Sequence, residues 1–305
     1  MITIITGPTA VGKTNLSLIL AQKIPNSIII SVDSRQVYRL MDIGTDKVSP
    51  YIRKYIPHYL IDIINPNCQF SVYDFINKSH KIVQFAIKNN KNVIFVGGTV
   101  LYVLSLIEGY SLLPTNPNIR KKYENLSTEE LKNLLEKIDK KYATNFLNKI
   151  KDKRRMVRIL EVYEITNQNP LDLWRNNRKI PIDNIIILQN HRSKIYENIN
   201  SRVDRQISQG LVDEVKYIVK KYPEYSTFKS LKTFGYYEII QYINRNITLE
   251  RAIDLIKRNT RRYAKRQISF LKKIKGHVVD LSTFQDNLYR ASEHILQFIF
   301  NPSNV

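Results

Sequence analysis

The chain has 305 residues, of which 43% are hydrophobic and 25% charged; that balance excludes an intrinsically disordered protein and leaves room for one core with a substantial insertion, or for two domains. Its 48 Lys and Arg against 27 Asp and Glu leave a formal net charge of +21; a polyphosphate or nucleic acid is the natural partner, because each phosphate neutralised releases counterions, and a compositional drift toward Lys, Asn, Ile and Tyr is the alternative. The single cysteine, Cys68, excludes an intrachain disulfide and a Cys-rich metal site.

In chain order, Ile2 to Ile5, Ser27 to Val32 and Asn92 to Val96 are short β-branched runs separated by amphipathic segments, the pattern of a parallel sheet with crossover helices. Tyr59 to Ile64 is a further strand candidate. Each of the first three runs ends in a polar loop: Thr6-Gly7-Pro8, Asp33-Ser34-Arg35-Gln36, and Gly97-Gly98-Thr99. In an open α/β sheet such loops converge on the crevice at the carboxyl ends of the strands, where ligands bind. Past Glu108, Leu113 to Pro117 reads as a linker into charged helical segments from Ile119 to about Trp174, with Ser127 as a helix N-cap and Leu131, Leu134, Leu135 and Ile138 on one face. Strand character returns at Asn184 to Leu188, and helices follow to about Lys275. The expectation is an α/β fold: a P-loop NTPase-like parallel-sheet core over 1–115 and 183–305, the second part mostly helical with one returning strand, interrupted by a helical insertion domain over 116–182. No window approaches ~18 uninterrupted apolar residues, and the chain opens on a strand rather than a basic region with a cleavage site. A cytoplasmic protein without membrane contact, and a monomer, are expected.

Gly7-Pro8-Thr9-Ala10-Val11-Gly12-Lys13-Thr14 matches the pattern G-x-x-x-x-G-K-[ST], after a strand and before a helix expected near Asn15. Its glycines let successive backbone N–H groups face a phosphate, the helix adds the positive end of its dipole, Lys13 supplies a charge, and the Thr14 hydroxyl can ligate Mg²⁺. The loop alone leaves open whether the phosphates belong to a nucleotide such as ATP or to another diphosphate. Asp33 lies at the mouth of the second strand, where a nucleotide kinase places a carboxylate and a metal-dependent NTPase a magnesium ligand; a helix cap is the alternative.

Several ordered blocks together resemble the tRNA dimethylallyltransferase family. They are Asp33 to Tyr38, Met41 to Lys47, Pro57 to Asp62, Phe70 to Phe75 and Gly97 to Tyr102 in the first half, then Arg154 to Tyr163, Arg202 to Asp204, Gly210 to Val215, Phe234 to Tyr236 and Tyr263 to Gln267. The resemblance covers nearly the whole chain. Departures are Val100 where the family often has Gly, Asp46 where it often has Ala, Tyr237 and Glu238 where a basic or amide residue often precedes the acid, and Ser269-Phe270 where it has Thr-Trp.

The resemblance implies transfer of a dimethylallyl group from dimethylallyl diphosphate, with Mg²⁺, to N6 of an adenosine immediately 3′ of the anticodon, in a tRNA anticodon stem-loop that extrudes this base. It implies Asp33, Thr99 and Lys13 as catalytic residues and Arg202 on the diphosphate. For the tRNA it points to Asp33, Ser34, Arg35, Gln36 and Thr99 near the acceptor base, and to Arg120, Arg154, Arg155, Met156, Val157 and Arg158 in the insertion. Lys232, Phe234, Gly235 and Tyr236, with Lys265, Arg266 and Gln267, complete the set. Arg258, Arg261, Arg262, Lys265 and Arg266 recur at helical spacing, which suits a phosphate-tracking stripe or a solvated helix face alike. Competing readings are a prenyltransferase acting on free adenine nucleotides, and a P-loop ATPase or RNA-binding protein without prenyl chemistry.

Overall fold

A computed structural model describes residues 1–109, 113–138, 152–168, 170, 173 and 179–301. The chain divides into two compact units, Met1–Ile107 with Ile180–Val305, and Glu108–Lys179.

The larger unit is an α/β fold built on one parallel sheet. Its strands are β1 (Ile2–Thr6), β2 (Ser27–Ser31), β3 (His58–Tyr59), β4 (Asn92–Gly97), β5 (Asn184–Gln189) and β6 (His277–Asp280), in the order β3-β2-β4-β1-β5-β6. The central strands are near-continuous apolar runs because both of their faces are covered. All five residues of β1 are buried. On one face Ile5, Ile29, Ile94, Ile186 and Leu188 pack with Leu16 and Leu20 of helix α1 (Lys13–Lys23) and with Ala291 and Ile295 of the helix at Leu288–Phe300. The alternate residues Ile4, Ile28, Ile30, Val93 and Phe95 are equally buried on the other. Helices α2 (Pro50–Tyr55), α3 (Val72–Lys88) and α4 (Val100–Ile107) follow β2, β3 and β4, and α3 is opened by a reciprocal capping box between Ser71 and Asp74.

Two strand expectations need correction. Tyr59 to Ile64 pairs with β2 only at His58 and Tyr59, because Leu60 and Asp62 take left-handed φ of 62° and 58°, and a single bridge joins Ile64 to Tyr38. The second part of the core regains two strands rather than one. β6 escaped notice because an edge strand of four residues buries little: Val279 is 1% exposed, but Val278 is 49% exposed, so no apolar run marks it.

The smaller unit contains α5 (Pro117–Glu124), α6 (Thr128–Ile138) and α7 (Lys153–Thr166), and residues 139–151 of the expected charged helical run, with 169, 171, 172 and 174, lie outside the described residues. Ser127 caps α6 by accepting from the Glu130 N–H (3.2 Å), while the Glu130 carboxylate accepts from the Ser127 N–H (2.7 Å). Leu131 and Leu135 of the apolar face pack on Met156, Val157 and Leu160 of α7.

Helices α8 (Arg192–Ser208), α9 (Leu211–Lys221), α10 (Tyr236–Ile243), α11 (Leu249–Leu271) and α12 (Leu288–Phe300) complete the larger unit. No helix among the described residues is long and apolar enough to cross a membrane.

Candidate active site

The segment Gly7 to Thr14 forms the turn between β1 and α1. Ala10 (φ 62°) and Gly12 (φ 107°) are left-handed, which turns successive amides toward one concavity. Gly12 is the N-cap of α1 and carries no capping side chain, so the first N–H groups of the helix stay available to an anion. Lys13 Nζ folds back to donate to the carbonyls of Gly7 (3.0 Å) and Pro8 (2.7 Å). Burial, and then the charge of Arg202, push its pKa down to about 7 against the opposing pull of Asp33.

Helices far away in sequence brace this turn. From α8, Asn198 Nδ2 donates to Ala10 O (3.1 Å) and Arg202 Nη2 to Thr9 Oγ1 (2.6 Å). From α11, Gln267 Oε1 accepts from the Thr9 N–H (2.9 Å) while its Nε2 donates to Gly98 O (2.7 Å). Gly98 has no room for a side chain: a Cβ there would lie 2.6 Å from Gln267 Nε2 and 2.8 Å from Gly7 O.

The loops after β2 and β4 close the adjacent wall. Asp33 Oδ1 accepts from the backbone N–H groups of Arg35 (2.7 Å) and Gln36 (3.3 Å), which fixes the carboxylate in a turn rather than at a helix cap. The Thr99 hydroxyl accepts from the Ser34 N–H (3.1 Å), tying the two loops together. Tyr263 of α11 stands near Asp33 and Thr99, and burial followed by the nearby charge of Asp33 pushes its phenol up to about 12. Its ring lies 5.7 Å from that of Phe234, and the Arg266 guanidinium lies 5.9 Å from it.

These groups line one cavity of about 750 Å³. Lys13, Lys194, Arg202 and Arg205 give it a cationic wall, Ile29, Val48, Ile61 and Val96 an apolar one, and Asp33, Ser34, Thr99 and Tyr263 a polar one. The sheet order explains the convergence, since β2, β4 and β1 are neighbours and all three present their carboxyl ends there.

Of the residues singled out from sequence, Thr9 to Thr14, Asp33 to Gln36, Thr99, Arg202, Lys232, Phe234, Gly235, Arg266 and Gln267 come together at this cavity. Several do not present a side chain to an RNA. Met156 and Val157 are 0% and 3% exposed because α7 turns that face into the core of its own unit. Tyr236 is fully buried and its hydroxyl donates to Glu214 Oε1 (2.6 Å). Gln267 is also buried, and its amide is committed to Thr9 and Gly98.

Other guanidiniums are partly engaged within the protein. Arg35 Nη1 donates to the carbonyls of Lys229 (3.1 Å) and Ser230 (3.2 Å). In the helical unit, Arg120 and Arg158 converge on the buried Glu161 (2.7 and 2.8 Å). Burial raises the pKa of that carboxyl, but hydrogen bonds from Arg158, Arg120 and the Asn116 N–H outweigh it and hold the group below its ordinary value. Arg154 and Arg155 are exposed. On α11, Arg258, Arg262, Lys265 and Arg266 form an exposed stripe, whereas Arg261 turns inward to Asn200 Oδ1 (2.6 Å).

Sequence reasoning missed Asn198, Arg205, Thr260 and Tyr263 as lining residues. A signal was present. Lys194, Asn198, Arg202 and Arg205 follow one another at steps of four and three on α8, as do Ile256, Thr260, Tyr263 and Gln267 on α11, so each helix carries a second, polar face that periodicity reveals.

The IPP transferase family matches residues 36–274. The chain is 40% identical over 302 residues to the tRNA dimethylallyltransferase of Thermosipho africanus, spanning 97% of this chain and 98% of that one. It is 39% identical to the enzyme of the same name from Thermotoga maritima, over 93% of each chain. Among solved structures, the full-length tRNA isopentenylpyrophosphate transferase of Bacillus halodurans superposes with a TM-score of 0.71 at 34% identity, over 99% of this chain and 97% of that one. A eukaryotic dimethylallyltransferase described as acting on tRNA gives 0.78 at 26% identity, over 98% and 79%.

Proposed function

The chain belongs to the IPP transferase family, and from that premise we propose that it transfers a dimethylallyl group from dimethylallyl diphosphate to N6 of the adenosine immediately 3′ of the anticodon in tRNA, releasing diphosphate. The observation that carries this reading is the juxtaposition, within one cavity, of a phosphate-binding turn, an apolar wall and an oriented carboxylate. A hydrolase acting on a nucleotide needs the first of these; a transferase of a branched hydrocarbon group needs all three.

The chemistry follows from the placement. The N6 lone pair attacks C1 of the allylic group, the C1–O bond breaks, and its electron pair leaves with diphosphate. An exocyclic adenine amine is a weak nucleophile because its lone pair is delocalised into the ring, but its proton becomes acidic as the N–C bond forms. Asp33 is suited to accept that proton: Oδ1 is held by two backbone N–H groups, and among the described residues Oδ2 has no hydrogen bond. Charge building on the diphosphate meets amides of the turn, Lys13 and Arg202, donors already in place before reaction.

The Thr14 hydroxyl is a hard oxygen donor on the cavity wall and fits Mg²⁺, which takes few protein ligands when phosphates supply the others. When bound there, Mg²⁺ neutralises charge on the leaving group. Phe234, Tyr263 and Arg266 offer aromatic and guanidinium faces against which an extruded base can stack, offsetting a few kcal/mol of lost stacking.

The test is incubation of the protein, Mg²⁺ and labelled dimethylallyl diphosphate with unmodified anticodon stem-loops carrying adenosine or guanosine beside the anticodon. Label is expected in the adenosine substrate alone. Modification of free AMP in preference to the stem-loop, or RNA-stimulated ATP hydrolysis without label transfer, would overturn the reading.

A further inference from the structure

Beside the cationic wall of the cavity stands Asp46, a carboxylate with no part in the chemistry above. Asp46 lies in the loop after β2, with Oδ2 3.5 Å from Arg202 Nη1 and Oδ1 3.4 Å from Arg205 Nη2. Arg202 reaches the phosphate-binding turn with its other terminal nitrogen, which donates to Thr9 Oγ1 (2.6 Å). One guanidinium therefore spans Asp46 and the turn. Two oxygens of one anionic group facing two guanidiniums is also the arrangement a phosphate would adopt there.

The fold holds the loop that carries Asp46 in place. The Glu214 carboxylate accepts from the N–H groups of Asp42 (3.0 Å), Ile43 (2.7 Å) and Gly44 (3.2 Å), and Gln206 Nε2 donates to Ile43 O (2.7 Å). Asp46 itself sits at φ 54°, its N–H donates to Ile43 O (3.1 Å), and its carbonyl accepts from Gln36 Nε2 (3.4 Å). A left-handed backbone is a cost that Asp, Asn and Gly tolerate better than other residues. A site that only had to grip phosphate would be stronger without this negative charge.

We propose that Asp46 is an internal competitor for the diphosphate site, pairing Arg202 and Arg205 while the site is empty and yielding them when diphosphate arrives. It reduces repulsion among Lys13, Arg202 and Arg205 in the free protein. It also gives the two guanidiniums a partner to return to, so release of product diphosphate is eased at the expense of affinity. Asp46 touches none of the reacting atoms and acts through the arginines. The inference rests on the reading of the turn as a diphosphate site.

Titration calorimetry with inorganic diphosphate and Mg²⁺ tests it on wild type, Asp46→Asn and Asp46→Gly. Both replacements accept the left-handed backbone, and Gly carries no Cβ to misplace should Asn perturb folding. Asp46→Asn is expected to bind roughly two- to thirty-fold more tightly, the range for removing the competition of two partly exposed ion pairs. The KM for dimethylallyl diphosphate should fall with it while kcat does not rise. In an Arg205→Gln background the gain should shrink, because half of the competing contact is already gone. Asp286, another carboxylate on the cavity wall, serves as the control for a general field effect.

Unchanged or weaker diphosphate binding by both Asp46 variants would show that the carboxylate positions the arginines instead of competing for them, and would overturn the proposal. An equal gain from Asp286→Asn would overturn it as well. Failure of the wild-type protein to bind diphosphate at all would sink both this inference and the diphosphate reading of the turn, whereas binding without the Asp46 effect would sink this inference alone.

Discussion

Gln267 and Thr9, 258 positions apart, share a hydrogen bond on which the shape of the turn between β1 and α1 depends: the Thr9 N–H donates to the buried amide oxygen at 2.9 Å, while the amide nitrogen of Gln267 reaches Gly98 O at 2.7 Å. One side chain thus fastens the ends of β1 and β4 to α11. Gln267→Ala leaves a donor and an acceptor without partners in a spot where Gly98 excludes bulk, and a cost of about 1–3 kcal/mol is expected. Urea unfolding should show the loss, and diphosphate affinity should fall with it. Wild-type stability together with wild-type affinity would show the bridge to be dispensable.

Asp33→Asn separates geometry from proton transfer. Asn keeps an oxygen acceptor for the Arg35 and Gln36 N–H groups, so the turn is retained while the base is lost. A drop in kcat of about 10²–10⁴-fold is expected, with tRNA affinity nearly unchanged. Asp33→Ala should lose both the base and the turn. If Asp33→Asn weakens tRNA binding as much as it slows turnover, the carboxylate is a binding group and another base must be sought.

Lys13 is expected to make diphosphate binding dependent on pH. Burial and Arg202 leave its pKa at about 7 in the free protein, below the ordinary lysine value. A bound diphosphate favours the charged amine and raises that pKa, so binding takes up a proton where the pH lies between about 7 and the higher bound-state pKa. Affinity is therefore greatest below this value and declines as pH rises through it toward the bound-state pKa. Calorimetry at pH 8 in two buffers of different ionisation heat should register uptake close to one proton beyond that of Lys13→Arg, whose guanidinium stays charged throughout. Equal uptake by the two proteins would remove Lys13 as its source.

Arg155 is exposed on α7, next to Asp152, whose side chain caps the helix at Arg154. Arg155→Ala should weaken tRNA binding across sequences and reduce the slope of log affinity against log salt by about 1. Arg158→Ala, by contrast, should destabilise the helical unit, because its guanidinium also serves Glu161 and the carbonyls of Leu113 and Pro114. An unchanged salt slope in Arg155→Ala would argue against a phosphate contact.

The α/β class and the glycine-bearing turn after β1 were legible in the residues because each depends on chemistry that neighbours in sequence supply. A strand buried on both faces must be apolar throughout, as Ile2 to Ile5 and Ser27 to Val32 are nearly so, and left-handed backbone at Gly12 needs a residue without a side chain. The edge strand at His277–Asp280 lacked such a signature, since half-exposed pairing asks little of its side chains. Met156 and Val157, Tyr236 and Gln267 sat inside blocks of family resemblance, which report that residues matter without reporting whether they face solvent, core or ligand.

By itself the sequence determined the central strands, the helix that follows Gly12 and the shape of the turn between them, for these are settled within a few residues of chain by backbone sterics and hydrophobic period. Tertiary structure alone decided which polar groups meet: that Gln267 and Asn198 brace the turn, that Tyr263 stands beside Asp33 and Thr99, and that Asp46 faces Arg202 and Arg205. The physical reason is that these partners lie on α8 and α11, which burial of their apolar faces brings against the loops of the sheet from far along the chain; helical spacing marks their polar faces, but nothing local says which loop groups those faces meet.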